Sequence, residues 1–170
     1  MLEPSLEKAL NAQINAELYS AYMYLSMSAW FDHVGLPGMA NWMKAQYQEE
    51  MFHVDKFFHY VLERGGKVTL AAIEAPPTEW ENAIDAFEKT LAHERHVTSL
   101  INELASLSLD ERDHATHNFL QWFISEQVEE EATADNMVNQ LRLVGGSGHG
   151  LLMLDRELAV RVFTPPAPGA

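Results

Sequence analysis

The sequence predicts an all-α fold, a four-helix bundle with one long crossover connection and a short fifth helix near the C-terminus. Apolar residues recur at the spacing of one helix face over four long segments, and the alternation typical of strands is absent. Glycine and proline residues interrupt this pattern between segments. Only one of the connections is long, which is the arrangement of a bundle with a single crossover.

The first two helices have signals at both ends. Ser5 is a residue type that caps helix N-termini, so the first helix is expected from there to about His33, before Gly35. Pro37 suits the first turn of the second helix, and the glycine pair at residues 65–66 is expected to end it. The connection between these two helices is therefore only a few residues long.

The third and fourth helices are each expected to begin with a capping box. Residues 78–81 have the pattern Thr-x-x-Glu and predict a helix that continues to about Leu107. Residues 108–111 have the pattern Ser-x-x-Glu and predict a fourth helix that ends before the glycines at 145–146. The connection between the third and fourth helices is again short.

The lengths of the connections predict the topology. Two short connections require antiparallel neighbours. The linker from Gly65 to Thr78 has 14 residues and can span about 46 Å at ~3.3 Å per residue. The second helix should be about 42 Å long at ~1.5 Å per residue. The linker can therefore run back along the whole bundle, which makes the second and third helices parallel.

A shorter amphipathic segment follows the bundle. Its apolar face consists of Leu151, Leu154, Leu158 and Val162. We expect one domain over residues 1–170, with the bundle at about 5–144, the fifth helix at about 148–163 and a loose tail at 164–170. We interpret the fifth helix as a contact with another subunit, because its narrow apolar face has little left to cover on a complete bundle. Packing across the end of its own bundle stays open as the second interpretation.

Composition excludes several classes of protein. The chain has 170 residues, 47% of them hydrophobic, which is enough for one domain with a full core. It has no cysteine, so disulfides, iron–sulfur clusters and thiolate metal sites are excluded. A net charge of −14 argues against binding to nucleic acid. No signal-peptide pattern or membrane-spanning apolar run is apparent, so we expect no membrane partner and a cytoplasmic location.

The acidic residues on the apolar faces are the main indication of function. Glu17, Glu50, Glu94 and Glu130 each interrupt an apolar face near the midpoint of one of the four long helices. Burying an unpaired charge costs several kcal/mol or more, so such positions need shared protons or bound cations. Antiparallel packing of helices of nearly equal length brings their midpoints to one level. The four carboxylates are therefore expected to converge.

The position of His53 indicates which cations these would be. It lies three residues after Glu50, so both side chains lie on the same helix face and can bind one ion together. Carboxylates from several helices with a Glu-x-x-His motif form the di-iron centres of helix bundles. Ligands rich in oxygen, with one imidazole and no thiolate, suit iron or manganese better than zinc or copper. The sequence therefore predicts a buried dinuclear metal site.

Further polar residues lie close to this predicted site. Tyr24 follows Glu17 by two turns, and Gln127 precedes Glu130 by three residues; either side chain could bond to a group at the metals or simply to a neighbouring acid. A third cation position is expected beside the pair. Its predicted residues are Glu49, Glu126, Glu129 and Glu130. The remaining histidines are expected at the surface or in loops.

At this point the chain resembles the bacterial non-haem ferritins from Met1 to about Leu158. The segments that carry the resemblance are AELYS at 16–20, QEEMFH at 48–53, NFLQW at 118–122 and SEQ at 125–127. The resemblance implies an iron-storage protein with ferroxidase activity. In such ferritins a di-iron centre in each subunit oxidises Fe²⁺ with O₂ or H₂O₂, and ferric oxyhydroxide collects inside a hollow shell of 24 identical subunits.

The resemblance also implies a role for each candidate residue. The first iron would be bound by Glu17, Glu50 and His53; Glu50 would bridge to a second iron completed by Glu94 and Glu130. Tyr24 and Gln127 would lie next to these ligands, and Glu49, Glu126 and Glu129, with Glu130, would form the third iron position. The chain diverges from the family pattern after Leu158, so the resemblance implies little about that segment.

Three alternatives are kept. A haem-binding, bacterioferritin-like shell would use Met51, directly after Glu50, as a haem ligand. A di-iron oxidase acting on an organic substrate would use Tyr24 as a radical or hydrogen-bond donor. A metal-free helical interaction module would leave the acids without cations. The first two patterns usually contain a second Glu-x-x-His, whereas this chain has Gln127 and Glu130 at those positions, so iron storage without haem is preferred.

Overall fold

A computed structural model describes residues 2–166, and in this part of the chain there are five α-helices and no strands. The helices are α1 (Pro4–His33), α2 (Pro37–Glu63), α3 (Ala83–Asp110), α4 (His114–Val144) and α5 (Gly148–Leu158). The predicted all-α bundle with a short fifth helix is confirmed. None of these helices combines the length and the apolar character needed to cross a membrane.

The buried apolar side chains form two clusters, one toward each end of the bundle. One cluster combines the C-terminal half of α1 with the N-terminal half of α2, as in Phe31 and Met39, and includes Phe87 near the start of α3. The other combines Leu10 of α1 with Phe57 near the end of α2 and Ile101 of α3. The α1 and α2 helices are therefore antiparallel, while α2 and α3 are parallel, as the crossover requires.

The crossover runs along the outside of α1. Asn11 accepts a hydrogen bond from the backbone N–H of Thr69 at 2.6 Å, and Ser26, four turns further along α1, donates to the carbonyl oxygen of Pro77 at 2.6 Å. Side chains of α1 therefore satisfy backbone groups that the irregular linker would otherwise leave unpaired.

The third helix begins later than its capping box predicts. Asn82 is the N-cap, and its side chain accepts a hydrogen bond from the backbone N–H of Asp85 at 3.0 Å. Trp80 explains the difference, because its ring is buried against Trp30 with 5.5 Å between ring centroids. Burying this large ring holds the preceding residues against the bundle as an extended segment.

The other two predicted caps are also wrong. The third helix continues to Asp110, and the cap of α4 is Asp113, whose side chain accepts from the backbone N–H of Thr116 at 2.9 Å. Ser5 lies inside α1, which begins at Pro4, and its hydroxyl donates to Glu111 at 2.5 Å. Asp113 thus takes the capping position predicted for Ser108, and the Ser5 hydroxyl bonds to Glu111 instead of capping α1.

The fifth helix packs across the end of its own bundle, which is one of the two interpretations that the sequence left open; a contact of this helix with another subunit stays a prediction. Leu154 is buried, and the Asp155 side chain accepts from the backbone N–H of Met39 at 2.8 Å. A Cβ atom at Gly38 would lie only 1.6 Å from the Asp155 carbonyl oxygen, so this approach requires glycine.

The fifth helix is also shorter than predicted, ending at Leu158 rather than near residue 163. Val162, which was expected on its apolar face, is exposed in the non-helical segment that follows. Of the expected tail, residues 164–166 are non-helical, and residues 167–170 lie outside the described part of the chain.

A paired hydrogen bond fastens the end of α2 to the start of α4. Both terminal nitrogens of Arg64 donate to the Asp113 carboxylate, at 3.1 and 2.8 Å. These bonds to Arg64 lower the pKa of Asp113 to about 2. Because a depressed pKa means that folding favours the ionised acid, this contact stabilises the fold above the ordinary pKa of an aspartate and is lost as the pH falls toward 2.

We therefore expect Asp113→Asn to lower the free energy of unfolding at neutral pH. The difference between the wild type and this variant should shrink as the pH falls from about 4 toward 2, because the carboxyl of the unfolded chain becomes protonated first and that of the folded protein only near pH 2. Denaturant titrations at neutral pH and at about pH 3 measure both quantities. A difference that stays constant with pH would show that the charge of Asp113 contributes nothing.

Candidate metal centre

Four carboxylates converge between the two apolar clusters. Glu17 comes from α1, Glu50 from α2, Glu94 from α3 and Glu130 from α4, and each residue is 5% exposed or less. The helix midpoints meet because the short connections set α1 against α2 and α3 against α4 with their ends aligned. The convergence expected from the sequence is thus present in the fold.

His53 completes a group of three possible ligands. Its Nδ1 lies 3.2 Å from Glu50 Oε2 and 3.9 Å from Glu17 Oε2. One ligand atom from each of these three residues lies within 4.8 Å of the others, a spacing that could hold a metal ion. The rings of Trp122 and Phe123 meet the imidazole at steep angles, with centroids 5.5 and 5.8 Å away, and fix its orientation.

Neutral amide side chains donate hydrogen bonds to one carboxylate oxygen of Glu17 and one of Glu130. Gln13 donates to Glu17 Oε1 at 2.8 Å, and Gln46 donates to Glu130 Oε2 at 2.9 Å. Glu17 Oε2, by contrast, is buried without a hydrogen-bond partner among the residues that the structure describes. One oxygen of Glu17 is thus oriented by the protein while the other faces its neighbours, an arrangement that suits a metal ligand.

Glu94 lies against hydrogen-bond donors rather than within the three-residue group. Its side chain accepts from the Tyr24 hydroxyl, and the Gln127 amide donates to its backbone oxygen at 3.2 Å and to its Oε2 at 3.4 Å. The predicted neighbours Tyr24 and Gln127 are therefore at the site, and both contact the same acid.

Burial dominates the electrostatics of the centre. It raises the pKa of Glu50 and of Glu130 well above the usual range, and the charge of Glu94 adds to this effect in both cases. Burial raises the pKa of Glu94 to about 7, although the Tyr24 hydrogen bond opposes the shift. Without a cation, burial in this dry environment therefore favours the protonated form of these carboxyls.

Burial has the opposite effect on the imidazole. It lowers the pKa of His53 to about 3, with a smaller contribution from the charge of Lys56. His53 is therefore neutral at ordinary pH and has a nitrogen lone pair available for a metal. Burial and the Glu94 charge raise the pKa of Tyr24, so its phenol stays protonated and remains a hydrogen-bond donor.

A second acidic group lies beside the first. Ligand atoms of Glu49, Glu126 and Glu130 lie within 4.8 Å of one another, and Glu130 thus belongs to both parts of the site. Glu49 and Glu126 are half-buried, and burial raises the pKa of both carboxyls. Glu129, which the sequence placed in this group, is exposed and lies outside it.

Two kinds of residue were missed in the sequence. Gln13 and Gln46 each precede an acid by four residues on the same helix face, and this spacing was a signal that could have identified them. His93 was expected at the surface but is half-buried, with its Nε2 2.7 Å from the Ser20 hydroxyl. Burial lowers the pKa of His93 to about 4.

A four-helix bundle with carboxylates and one imidazole at its centre belongs to the class of helical carboxylate-type metal proteins. Comparison with known families makes this specific, since the ferritin-like domain family matches residues 7–144. The chain belongs to the ferritin family, and this membership supports a role in iron storage and ferroxidase activity in general.

Relatives match over nearly the whole chain. A bacterial non-heme ferritin from Bacteroides fragilis is 41% identical over 161 residues, covering 95% of this chain and 100% of the relative. One from Escherichia coli O6:H1 is 39% identical, covering 94% of this chain and 96% of the relative. A crystal structure described as a novel open pore ferritin from Archaeoglobus fulgidus superposes with a TM-score of 0.94 at 52% identity, covering 95% and 99% of the two chains.

The raised pKa of Glu50 predicts that this residue lowers the folding stability of the metal-free protein at neutral and higher pH. Folding favours the protonated acid, so stability falls as the pH rises from the ordinary pKa of a glutamate toward the folded value. Glu50→Gln removes this loss. We expect chelator-treated Glu50→Gln protein to melt above the wild type at about pH 8, by roughly 2–4 °C for each kcal/mol recovered.

Thermal unfolding of both proteins at two pH values measures this effect. The advantage of the variant should shrink toward about pH 5, where the wild-type glutamate is protonated in the unfolded chain as well. Glu103→Gln, at an exposed position on α3, is the matched control and should leave the midpoint unchanged. A lower midpoint for Glu50→Gln at both pH values would contradict the electrostatic account.

Proposed function

We propose that this protein stores iron by oxidising Fe²⁺ with O₂ or H₂O₂ at its mid-bundle centre and collecting the product as ferric oxyhydroxide in a shell of 24 subunits. The observation that carries this proposal is the buried group of Glu17, Glu50 and His53 at the centre of a ferritin-family bundle. Iron is the substrate and the cargo of this site. The cytoplasm is its proposed location.

The proposed ligands combine the group of Glu17, Glu50 and His53 with the two remaining buried acids, Glu94 and Glu130. Glu17, Glu50 and His53 bind the first iron, and Glu50 bridges to the second, which Glu94 and Glu130 complete. The dependence of the pKa values of Glu50 and Glu130 on the charge of Glu94 supports this assignment, because it places the three carboxylates within strong electrostatic reach. Tyr24 and Gln127 orient Glu94 through the hydrogen bonds described above.

The raised pKa values of the buried carboxyls support passage of iron through this centre rather than permanent retention. Cations entering the centre replace protons on Glu50, Glu94 and Glu130, so each binding step releases protons. Proton competition weakens the apparent affinity for the metal. A site that holds iron only moderately can pass its oxidised product on to a mineral.

We also propose that Glu49, Glu126 and Glu130 form a third iron position. Glu130 is shared with the dinuclear centre, while the half-buried Glu49 and Glu126 lie toward solvent. This arrangement gives a continuous row of carboxylates from the centre outward. Glu129 lies at the exposed end of the row and contributes through its negative charge, which raises the pKa of Glu126.

The names of the relatives favour storage without haem. Two relatives are described as non-heme ferritins, which supports this assignment over the haem-binding alternative suggested by Met51.

The exposed apolar side chains support assembly into a shell, since Leu143 is 88% exposed and Val128 68% exposed in the isolated chain. Side chains of this kind gain about 1.5–3 kcal/mol each when they are buried against a partner.

Anaerobic titration with Fe²⁺ followed by admission of air tests the ferroxidase proposal. We expect O₂ consumption and retention of far more iron than the two ions of a dinuclear centre. In Glu50→Ala, rapid oxidation should fall by at least about 100-fold, because loss of groups beyond the ligands alone often costs 10–100-fold. Glu103→Ala, far from the acidic groups, should behave as the wild type.

Binding of two ions per chain without any mineral would contradict iron storage. It would favour the alternative of an oxidase acting on an organic substrate.

Particle size tests the assembly separately. We expect a mass near 24 times that of the 19.2 kDa chain by light scattering, with closed symmetry. A dimer would contradict the shell and would fit a di-iron oxidase instead. Leu143→Lys should shift the distribution toward smaller species if this exposed side chain becomes buried between subunits.

A further inference from the structure

The segment after α5 returns to the middle of the bundle. Asn41 of α2 donates to the backbone carbonyl oxygens of Leu158 at 3.2 Å and Arg161 at 2.9 Å, which holds the chain against α2. Two residues later Phe163 meets Phe52, with 5.9 Å between ring centroids. The non-helical segment at residues 159–163 therefore lies along the helix that contributes Glu49 and Glu50.

This path brings a guanidinium group to the outer acidic group. Arg161 Nη2 donates to Glu49 Oε2 at 3.1 Å, and the guanidinium carbon lies 4.4 Å from the centroid of the Trp42 ring. The two paired side chains are only 25% and 15% exposed. An ion pair combined with a cation–π contact fixes a permanent positive charge at this point.

Glu49 consequently has two possible partners. It belongs to the group of Glu49, Glu126 and Glu130, whose ligand atoms lie close enough for one cation, and it also accepts from Arg161. The charge of Arg161 acts on two members of this group, because it lowers the pKa of both Glu49 and Glu130 against the effect of burial. The positive charge of Arg161 therefore already interacts with carboxylates that a bound metal ion would use.

We propose that Arg161 is a built-in competitor for the third cation position, and that a metal ion binds fully there only when the guanidinium leaves Glu49. This inference rests on the proposed function, since it concerns the same acidic row. It assigns Arg161 as a positioning residue that sets the affinity of the outer position without contacting the inner centre. The inner centre therefore fills first and the outer position fills at higher cation concentration.

The contact is suited to reversible release. Arg161 makes one hydrogen bond to Glu49, and its Nη1 is buried without a hydrogen-bond partner within residues 2–166. The segment is held mainly by Asn41 and Phe52, so the arginine can leave without disturbing α5. A metal ion that competes with Arg161 for Glu49 therefore drives the exchange through its concentration.

Calorimetric titration of the chelator-treated, assembled protein with Zn²⁺, which has no redox chemistry, tests this proposal. We expect a strong phase from the inner centre and a weaker phase from the outer position. Arg161→Gln should tighten the weaker phase by about tenfold, within the usual range of coupling between sites. The strong phase should not change.

Three further comparisons separate competition from a purely structural role. Arg161→Lys keeps the positive charge and should restore most of the wild-type affinity, which loss of packing would not explain. Arg142→Gln is the matched control, because Arg142 also pairs with one carboxylate, Glu88 at 2.7 Å, at an exposed site. In a Glu49→Gln background, Arg161→Gln should no longer change the weaker phase.

Hydrogen exchange gives a readout that does not depend on affinity. Zn²⁺ at concentrations that fill the weaker phase should raise amide exchange in residues 159–163 of the wild type, because the segment loses its ion pair with α2 when Arg161 leaves Glu49. Unchanged exchange there, or the same weaker phase in Arg161→Gln as in the wild type, would overturn the competitor role. Absence of the strong phase from the titrations of the wild type and of all the variants would instead contradict the proposed dinuclear centre.

Discussion

Burial of four carboxylates at one level is the constraint on which this structure depends. An acid in a dry interior must bind a proton, a donor or a cation, and the protein supplies mostly neutral donors here. Gln13, Tyr24 and Gln46 each bond to one of the acids, and raised pKa values keep protons on the rest. Each acid thus has a hydrogen-bond donor or a proton in the absence of metal, and the proposed function exchanges these protons for metal ions.

The two ends of the bundle provide the stability that the middle lacks. Large apolar side chains fill both end clusters, as in Phe31 and Phe57, and each contributes about 1.5–3 kcal/mol on burial. The ends also carry the fastenings, with the paired bond of Arg64 to Asp113 at one and the α5 contacts at the other. The two apolar clusters exclude water from the four carboxylates that lie between them, and they keep the helices that carry these acids in register.

The sequence predicted the fold and the converging acids because both follow from regular periodicity and connection lengths. It failed where a tertiary contact replaced a local signal, as when burial of Trp80 delayed α3 to Ala83. It also could not show that the chain beyond Leu158 returns to Glu49, since no pattern in that segment specifies its path. Glu129 is exposed in this structure, and its predicted place at the third cation position stays a prediction, because helix periodicity does not specify how far an acid at the edge of the inner face can reach.

The close approach at Gly38 gives the C-terminal end of the chain a defined direction. Only a hydrogen atom fits between the backbone of α2 and the carbonyl oxygen of Asp155, so the angle of α5 is set by a position that has no side chain. A bulkier residue there would tilt α5 off the bundle and carry the following segment with it. Position 38 is therefore a place where protein engineers can redirect an attached peptide without substituting any of the proposed metal ligands.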